Sequence, residues 1–107
     1  MRAVWAEHRA GLLERLSLIE QAIVALGSAQ LGEPLRVEAR QAAHMLSGSL
    51  GLFGFARESE TAYELQLELE YAEPGRAPAL SALVEVVCGA LNPELLHGRS
   101  QTTRPGQ

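Results

Sequence analysis

The apolar residues of the chain recur at helical spacing in four segments that glycine and proline separate. The breaks fall at residues 27–34, at 74–78 and at Asn92-Pro93. Between them, apolar residues recur three, four or seven positions apart, which is the spacing of one face of an α-helix. The pattern therefore predicts helices over about 3–26, 34–53 and 55–72, and a fourth beginning at Pro78. The predicted inward positions outside the second helix are Trp5, Leu12, Leu16, Ile19, Ile23, Leu26, Ala62, Leu65, Leu69, Leu80, Leu83, Val84, Val87 and Leu91.

This pattern predicts an all-α fold with one bundle of helices. No segment alternates with period two over a useful length, so no strands are expected. Four amphipathic helices joined by short loops bury their apolar faces most simply as an antiparallel four-helix bundle. We expect residues 1–96 to form this bundle. The polar stretch 97–107, which contains glycine and proline, is predicted to be a disordered tail or a linker.

The second predicted helix carries an outward-facing histidine, His44. At about 100° per residue, its apolar positions cluster within roughly 60° of one direction. His44 lies about 180° from the centre of that stripe, whereas a buried histidine would lie on it. We therefore expect the His44 ring to face solvent. The apolar positions of this helix are Leu35, Ala39, Ala42, Leu46, Leu50 and Phe53.

Two glycines share the face of His44. Gly48 and Gly51 follow it by four and seven positions, which places all three residues on one side of the helix. Each glycine inside a helix costs roughly 0.8–1 kcal/mol relative to alanine. One interpretation is that bare backbone beside His44 lets another protein approach closely. The alternative is that Gly48 ends the helix as a C-terminal cap, although the apolar period continues through Leu50 and Phe53.

Composition and charge narrow the classes of function. A length of 107 residues fits one domain, and a net charge of −4 with 5% aromatic residues argues against nucleic acid as a partner. No run of about 18 apolar residues is present, and the N-terminus lacks an apolar signal core, so we expect neither a membrane span nor secretion. Cys88 is the single cysteine, which excludes an internal disulfide and a cysteine-based zinc site. A cytoplasmic location is expected.

The remaining residues with chemical potential have simpler interpretations. His8 falls close to the first apolar stripe and is predicted to be a partly buried packing residue, and Cys88 is predicted to fill the core. His97 lies in the polar tail. Four glutamates between 64 and 73 are predicted to form a solvated face, because a bundle metal site requires Glu-x-x-His motifs that the chain lacks. These glutamates are Glu64, Glu68, Glu70 and Glu73.

An exposed histidine on a rigid helix suits phosphoryl transfer. A neutral imidazole nitrogen is a competent nucleophile for phosphorus near neutral pH. Phosphoryl transfer depends mainly on in-line positioning and on charge stabilisation, both of which a partner protein can supply. A carrier therefore needs little more than the imidazole and clearance around it.

The residues around His44 resemble the histidine phosphotransfer (HPt) domain of bacterial two-component phosphorelays. The family pattern is an alanine, the phosphorylated histidine, any residue, leucine, usually lysine or alanine, then glycine and a small residue, with a second glycine ten positions after the histidine. Here the pattern reads Ala43-His44-Met45-Leu46-Ser47-Gly48-Ser49, and Gly54 is the second glycine. The resemblance extends into the third helix, through Ser59, Ala62, Glu64 and Leu65, and covers roughly residues 36–70.

The resemblance implies that His44 accepts a phosphoryl group from a receiver-domain aspartate or from a sensor histidine kinase, and passes it to another receiver aspartate. It also implies a four-helix bundle that acts as a phosphocarrier, with no kinase activity of its own. The chain has no P-loop, in agreement with that expectation. No cofactor is expected, and any Mg²⁺ would belong to the receiver partner.

The chain departs from the family pattern at two positions. Many members carry lysine three residues after the histidine, where this chain has Ser47, and Met45 stands where some relatives carry a basic residue. Positive charge for the phosphate could come from Arg40, one turn before His44, or from Arg36, although either could be a solvated surface residue. Gln41 could hydrogen-bond a ring nitrogen of His44 or face water.

These departures keep a second hypothesis open. The chain could be a degenerate HPt-like module that docks receivers or dimerises without being phosphorylated.

Overall fold

Four α-helices and one short 3₁₀ turn make up the described part of the chain. The computed structural model describes the backbone of residues 2–91 and the side chains of residues 5–91. The helices are α1 (Arg2–Gly27), α2 (Glu33–Leu52), α3 (Ala56–Tyr71) and α4 (Ala77–Leu91), and the 3₁₀ turn is Pro74–Arg76. No strand occurs between residues 2 and 91. The all-α prediction is confirmed, and each helix boundary that the pattern predicted lies within one residue of the observed one.

The end of α2 shows why the chain turns after residue 52. Gly54 has a φ of +91°, a conformation that glycine adopts without the steric penalty of a Cβ atom. Its N–H donates to the Gly51 carbonyl at 3.2 Å, and the Phe55 N–H donates to the Leu50 carbonyl at 2.8 Å. This pair of bonds is a Schellman motif with Gly54 as the residue after the cap. The alternative in which Gly48 caps the helix is therefore wrong, because α2 continues for another turn.

The helices pack in an antiparallel ring. α1 contacts α2 and α4, and α3 contacts the same two helices. Trp5, near the start of α1, packs on Phe53 just beyond the end of α2, with ring centroids 4.8 Å apart. At the other end of α1, Gly27 lies beside Ala77 at the start of α4. The predicted antiparallel order of neighbouring helices is confirmed by these contacts.

The predicted apolar stripes form the core. Ile19, Leu50, Leu65, Leu80 and Leu91 are fully enclosed, and each such side chain contributes roughly 1.5–3 kcal/mol by leaving water. All other predicted inward positions of α1, α3 and α4 are buried as well, except Trp5 and Leu83, which are partly buried against the core.

Two minor predictions concern single side chains. Cys88 is partly buried against the core, as expected of a packing residue. The prediction that His8 is partly buried is wrong. His8 is exposed, and its ring makes a T-shaped contact with that of Phe53, with the ring centroids 5.4 Å apart.

Some predictions fall partly or wholly outside the described part of the chain. Residues 97–107, predicted to be a tail or linker and to include His97, lie beyond it, as do residues 92–96 at the end of the predicted bundle. Within residues 2–91, no helix combines the length and the apolar character that crossing a membrane requires.

Candidate functional site

His44 lies in the middle of α2, and its side chain is exposed, as its angular position opposite the apolar stripe predicted. Its Nδ1 atom lies 3.3 Å from Oε1 of Gln66 on α3. An amide oxygen accepts a hydrogen bond, so this contact fits the tautomer of the neutral ring in which Nδ1 carries the proton. In that tautomer Nε2 keeps its lone pair and is the nucleophilic nitrogen.

An open depression surrounds the ring of His44. Its volume is about 410 Å³, and we call it the His44 depression. The residues that line it are Arg40, Gln41, His44, Met45 and Gln66. α2 contributes four of them and α3 contributes Gln66, so the packing of these two helices shapes the site.

Arg40 is held at this depression by an ion pair with α3. Its Nη1 atom lies 3.8 Å from Oε2 of Glu70, and the two side chains are 32% and 42% exposed. Arg40 precedes His44 by one turn of α2, and Glu70 follows Gln66 by one turn of α3. The pairs Arg40–Glu70 and His44–Gln66 are thus successive contacts between the same two helices. A positive charge therefore lies on the face of His44, and a carboxylate neutralises it.

Arg36, the other arginine predicted to serve the phosphate, has a structural role. Its Nη1 donates to the carbonyls of Leu69 at 2.7 Å and of Ala72 at 3.3 Å. These carbonyls lie at the C-terminal end of α3. The last carbonyls of a helix have no N–H partner within that helix, and the helix dipole favours a cation there. Arg36 also lies two turns from His44. In this arrangement its guanidinium is engaged at the end of α3, and the hypothesis that it supplies charge to the phosphate stays a prediction.

Ser47 is turned toward α3 and bound there. Its carbonyl accepts a hydrogen bond from the Ser59 hydroxyl at 2.7 Å, and the two hydroxyl oxygens are 3.4 Å apart. Ser47 is partly buried. The position at which the HPt pattern usually has lysine is thus occupied by a short side chain that takes part in packing between α2 and α3.

The two glycines beside His44 have different surroundings. A methyl group added to Gly48 would meet no atom of the described chain within 4 Å, apart from its own helix backbone and chain neighbours. The same group on Gly51 would lie 3.2 Å from Oγ of Ser59. Gly48 therefore leaves open surface beside His44, in line with the interpretation that bare backbone lets another protein approach the histidine. Gly51 instead allows close approach of α2 to α3.

Exposed apolar side chains flank the site. Met45, beside His44, is 48% exposed, and Tyr63 and Leu67 on α3 are 51% and 50% exposed. Leu67 follows Gln66 directly, and Tyr63 precedes it by one turn. Of these three side chains, Met45 lines the His44 depression, whereas Leu67 lines a separate depression together with Glu68 and Tyr71.

Sequence reasoning missed Gln66, Ser59 as the partner of Ser47, and Glu70 as the partner of Arg40. Gln41, which the sequence offered as a partner of the His44 ring, lies exposed at the depression, while Gln66 makes the contact. A helical wheel gives the direction of each side chain on its own helix but not the register between two helices. The available signal was that α3 runs antiparallel to α2, which brings residues 66 and 70 opposite 44 and 40.

The four glutamates between residues 64 and 73 lie on α3 or just after it. No group of three or more histidine, cysteine or carboxylate side chains is placed to bind a metal within the part of the chain that the structure describes. Glu64 and Glu73 are exposed, and Glu68 binds Arg76 through contacts of 2.8 and 3.2 Å. The prediction of a solvated face is right for these positions, with Glu68 and Glu70 additionally engaged in ion pairs.

Comparison with known proteins gives a distant similarity. Neither a family model nor a solved structure matches the chain. The chain is 28% identical over 87 residues to Protein RcaC of Microchaete diplosiphon. The matched region covers 78% of this chain and 13% of RcaC, so the chain spans a small part of the length of that relative.

Proposed function

We propose that the chain is a histidine phosphotransfer module in which Nε2 of His44 carries the phosphoryl group. The observation that carries the proposal is the contact between Nδ1 of His44 and Gln66, since it leaves Nε2 as the nucleophile on an exposed ring. Open surface at Gly48 gives a partner room to approach. RcaC is a phosphorelay protein of the response-regulator type, and the similarity to it supports a role in two-component signalling.

The proposed reaction is a transfer between His44 and an aspartate of a receiver domain. Nε2 attacks the phosphorus of the aspartyl phosphate, the N–P bond forms, and the P–O bond to the carboxylate breaks. In-line geometry and Mg²⁺ come from the receiver. Because Nδ1 keeps its proton against Gln66, the imidazole departs as a neutral ring when the phosphoryl group moves on to the next aspartate. Gln66 thereby supports transfer in both directions.

The partner expected from this chemistry is a receiver domain, or a sensor histidine kinase that supplies the phosphoryl group. The exposed apolar side chain of Met45, which lines the His44 depression, supports a protein partner at this face. The chain itself would act as a carrier and not as a kinase.

Phosphotransfer from a phosphorylated receiver tests the proposal directly. We expect acid-labile label on the wild-type chain and none on His44→Gln. His8→Gln is the matched control, because His8 is also exposed but lies on α1, and it should be labelled like the wild type. Equal labelling of wild type and His44→Gln would overturn the proposal. If the wild type binds the receiver but is not labelled, the alternative hypothesis is favoured. In that hypothesis, based on Ser47 and Met45, the chain is an HPt-like module that docks receivers without being phosphorylated.

A further inference from the structure

The ion pair beside His44 has the features of a contact that can exchange partners. A strong charge-assisted hydrogen bond between nitrogen and oxygen measures about 2.7–2.9 Å, whereas Arg40 and Glu70 are 3.8 Å apart. Both side chains are about a third exposed or more. A partly exposed pair of this length contributes little to stability, so separating it costs little.

A second ion pair of α3 is shorter than the pair of Arg40 with Glu70. Arg76 binds Glu68 with two contacts, of 2.8 and 3.2 Å. Glu68 lies two positions after Gln66, which directs it to a different face of α3 from the His44 depression. Only the looser of the two ion pairs is therefore placed beside the histidine.

Phosphorylation of His44 would bring a stronger anion to Arg40. A phosphoryl group carries roughly −1.5 to −2 charges near neutral pH, against −1 for a carboxylate. Side chains one turn apart on a helix have Cβ atoms about 5–6 Å apart, within reach of the long arginine side chain. Arginine also binds phosphate oxygens in a planar, two-pronged geometry.

We propose that the phosphoryl group on His44 and the carboxylate of Glu70 compete for Arg40. Arg40 pairs with Glu70 while His44 is unphosphorylated, and it binds and stabilises the phosphoryl group once His44 is phosphorylated. This inference rests on the proposed function, since it requires phosphate on His44. It assigns to Arg40 the task that the lysine three residues after the histidine performs in the HPt pattern, at the site where this chain has Ser47. Arg40 touches the transferred group, and Glu70 acts as a positioning residue through Arg40.

The test uses potassium phosphoramidate, which needs no partner protein. Nε2 of His44 attacks its phosphorus, the P–N bond to the protonated amino group breaks, and the amino group leaves as ammonia. A His8→Gln/His97→Gln background of the 107-residue chain leaves His44 as the only histidine to label. The second ionisation of the phosphoryl group is then followed by ³¹P NMR as pH changes.

The sign of each effect follows from charge. A nearby cation favours the dianion and lowers the pKa of the phosphoryl group, and a nearby anion raises it. We expect Arg40→Gln to raise this pKa by about 0.3–1 unit and Glu70→Gln to lower it by about 0.2–0.5 unit. Because Glu70 acts through Arg40, most of the Glu70→Gln effect should vanish in the double variant. Glu68→Gln is the matched control and should leave the pKa unchanged.

The outcomes separate the inference from the proposed function. No phosphohistidine at His44 in the background protein would overturn both. Phosphohistidine whose pKa is the same with and without Arg40 would overturn the inference alone. Equal effects of Glu70→Gln and Glu68→Gln, or a Glu70→Gln effect that persists in full without Arg40, would exclude competition between Glu70 and the phosphoryl group.

Discussion

At the scale of single residues, the site is defined by a contact between two helices and not by His44 alone. The exposure of His44 follows from the sequence, because its direction depends only on the pitch of α2 and on the apolar stripe opposite. The partner of its Nδ1 atom does not follow, since Gln66 is 22 positions away and is brought near by packing of α3 on α2. The same holds for Arg36, whose partners on α3 are 33 and 36 positions distant.

The contact with Gln66 gives the first prediction. Gln66→Leu removes the acceptor for Nδ1–H, so the ring samples other orientations and tautomers. One hydrogen bond is worth about 0.5–1.5 kcal/mol, so we expect the rate of His44 phosphorylation by phosphoramidate to fall roughly two- to tenfold. Gln41→Leu, in the same depression, is the control and should leave the rate unchanged. A larger loss in Gln41→Leu than in Gln66→Leu would assign the orienting role to Gln41.

At the scale of elements, α2 combines two glycines that look equivalent in the sequence. Their spacing from His44 predicted one shared role, because a wheel places both on the histidine's face. The structure separates them through α3, since a methyl group added to Gly51 would meet Ser59, whereas one added to Gly48 would meet no described atom within 4 Å beyond its own helix and chain neighbours. The sequence does contain the signal that α2 continues past Gly48, namely the apolar positions Leu50 and Phe53. It does not contain the distance between two helices.

Alanine substitutions should distinguish the two glycines by their effect on stability. Gly48→Ala should raise the free energy of unfolding by about 0.5–1 kcal/mol, because alanine is the better helix former and the site is open. Gly51→Ala should gain less or lose stability, because its methyl group would lie 3.2 Å from Oγ of Ser59. Urea denaturation followed by circular dichroism measures both. Equal stabilisation by the two substitutions would mean that the helices separate readily at Gly51.

A larger side chain at Gly48 should separate the two kinds of phosphoryl donor. We expect Gly48→Leu to reduce transfer from a receiver domain at least tenfold, because the leucine occupies surface that the partner approaches. Phosphorylation by phosphoramidate should change little, since a small donor needs no such clearance. Helicity should be retained or increased. Loss of both reactions together with loss of helicity would show that Gly48 is required for folding.

At the scale of the whole molecule, the apolar pattern was sufficient to predict the fold. Four stripes of regular period, separated by glycine and proline, leave few arrangements other than an antiparallel bundle. Charge is distributed less evenly than the net value of −4 suggests. Residues 56–73 contain six glutamates and one arginine, a formal charge of −5, so the rest of the chain is close to neutral. The His44 site thus lies where α2 meets the acidic helix α3.

The core gives a prediction for the molecule as a unit. Ile19 is fully buried in α1, whereas Val24 on the same helix is 71% exposed. Ile19→Ala should lower the free energy of unfolding by about 2–5 kcal/mol through lost burial and a cavity. Val24→Ala should change it by less than about 0.5 kcal/mol. Thermal and urea unfolding measure the difference, and similar losses from both substitutions would contradict the placement of the core.

The aromatic cluster at one end of the bundle provides a natural optical reporter. Trp5 is the only tryptophan of the chain, and its ring lies 4.8 Å from Phe53 and 5.2 Å from Phe55. Its fluorescence therefore responds to whether the start of α1 closes on the turn between α2 and α3. Phe53 follows His44 by nine residues, about 13 Å along the helix axis. The fluorescence of Trp5 can thus report, in real time and without an added label, on the packing of α1 against this turn. The signal comes from a ring that lies at a distance from His44.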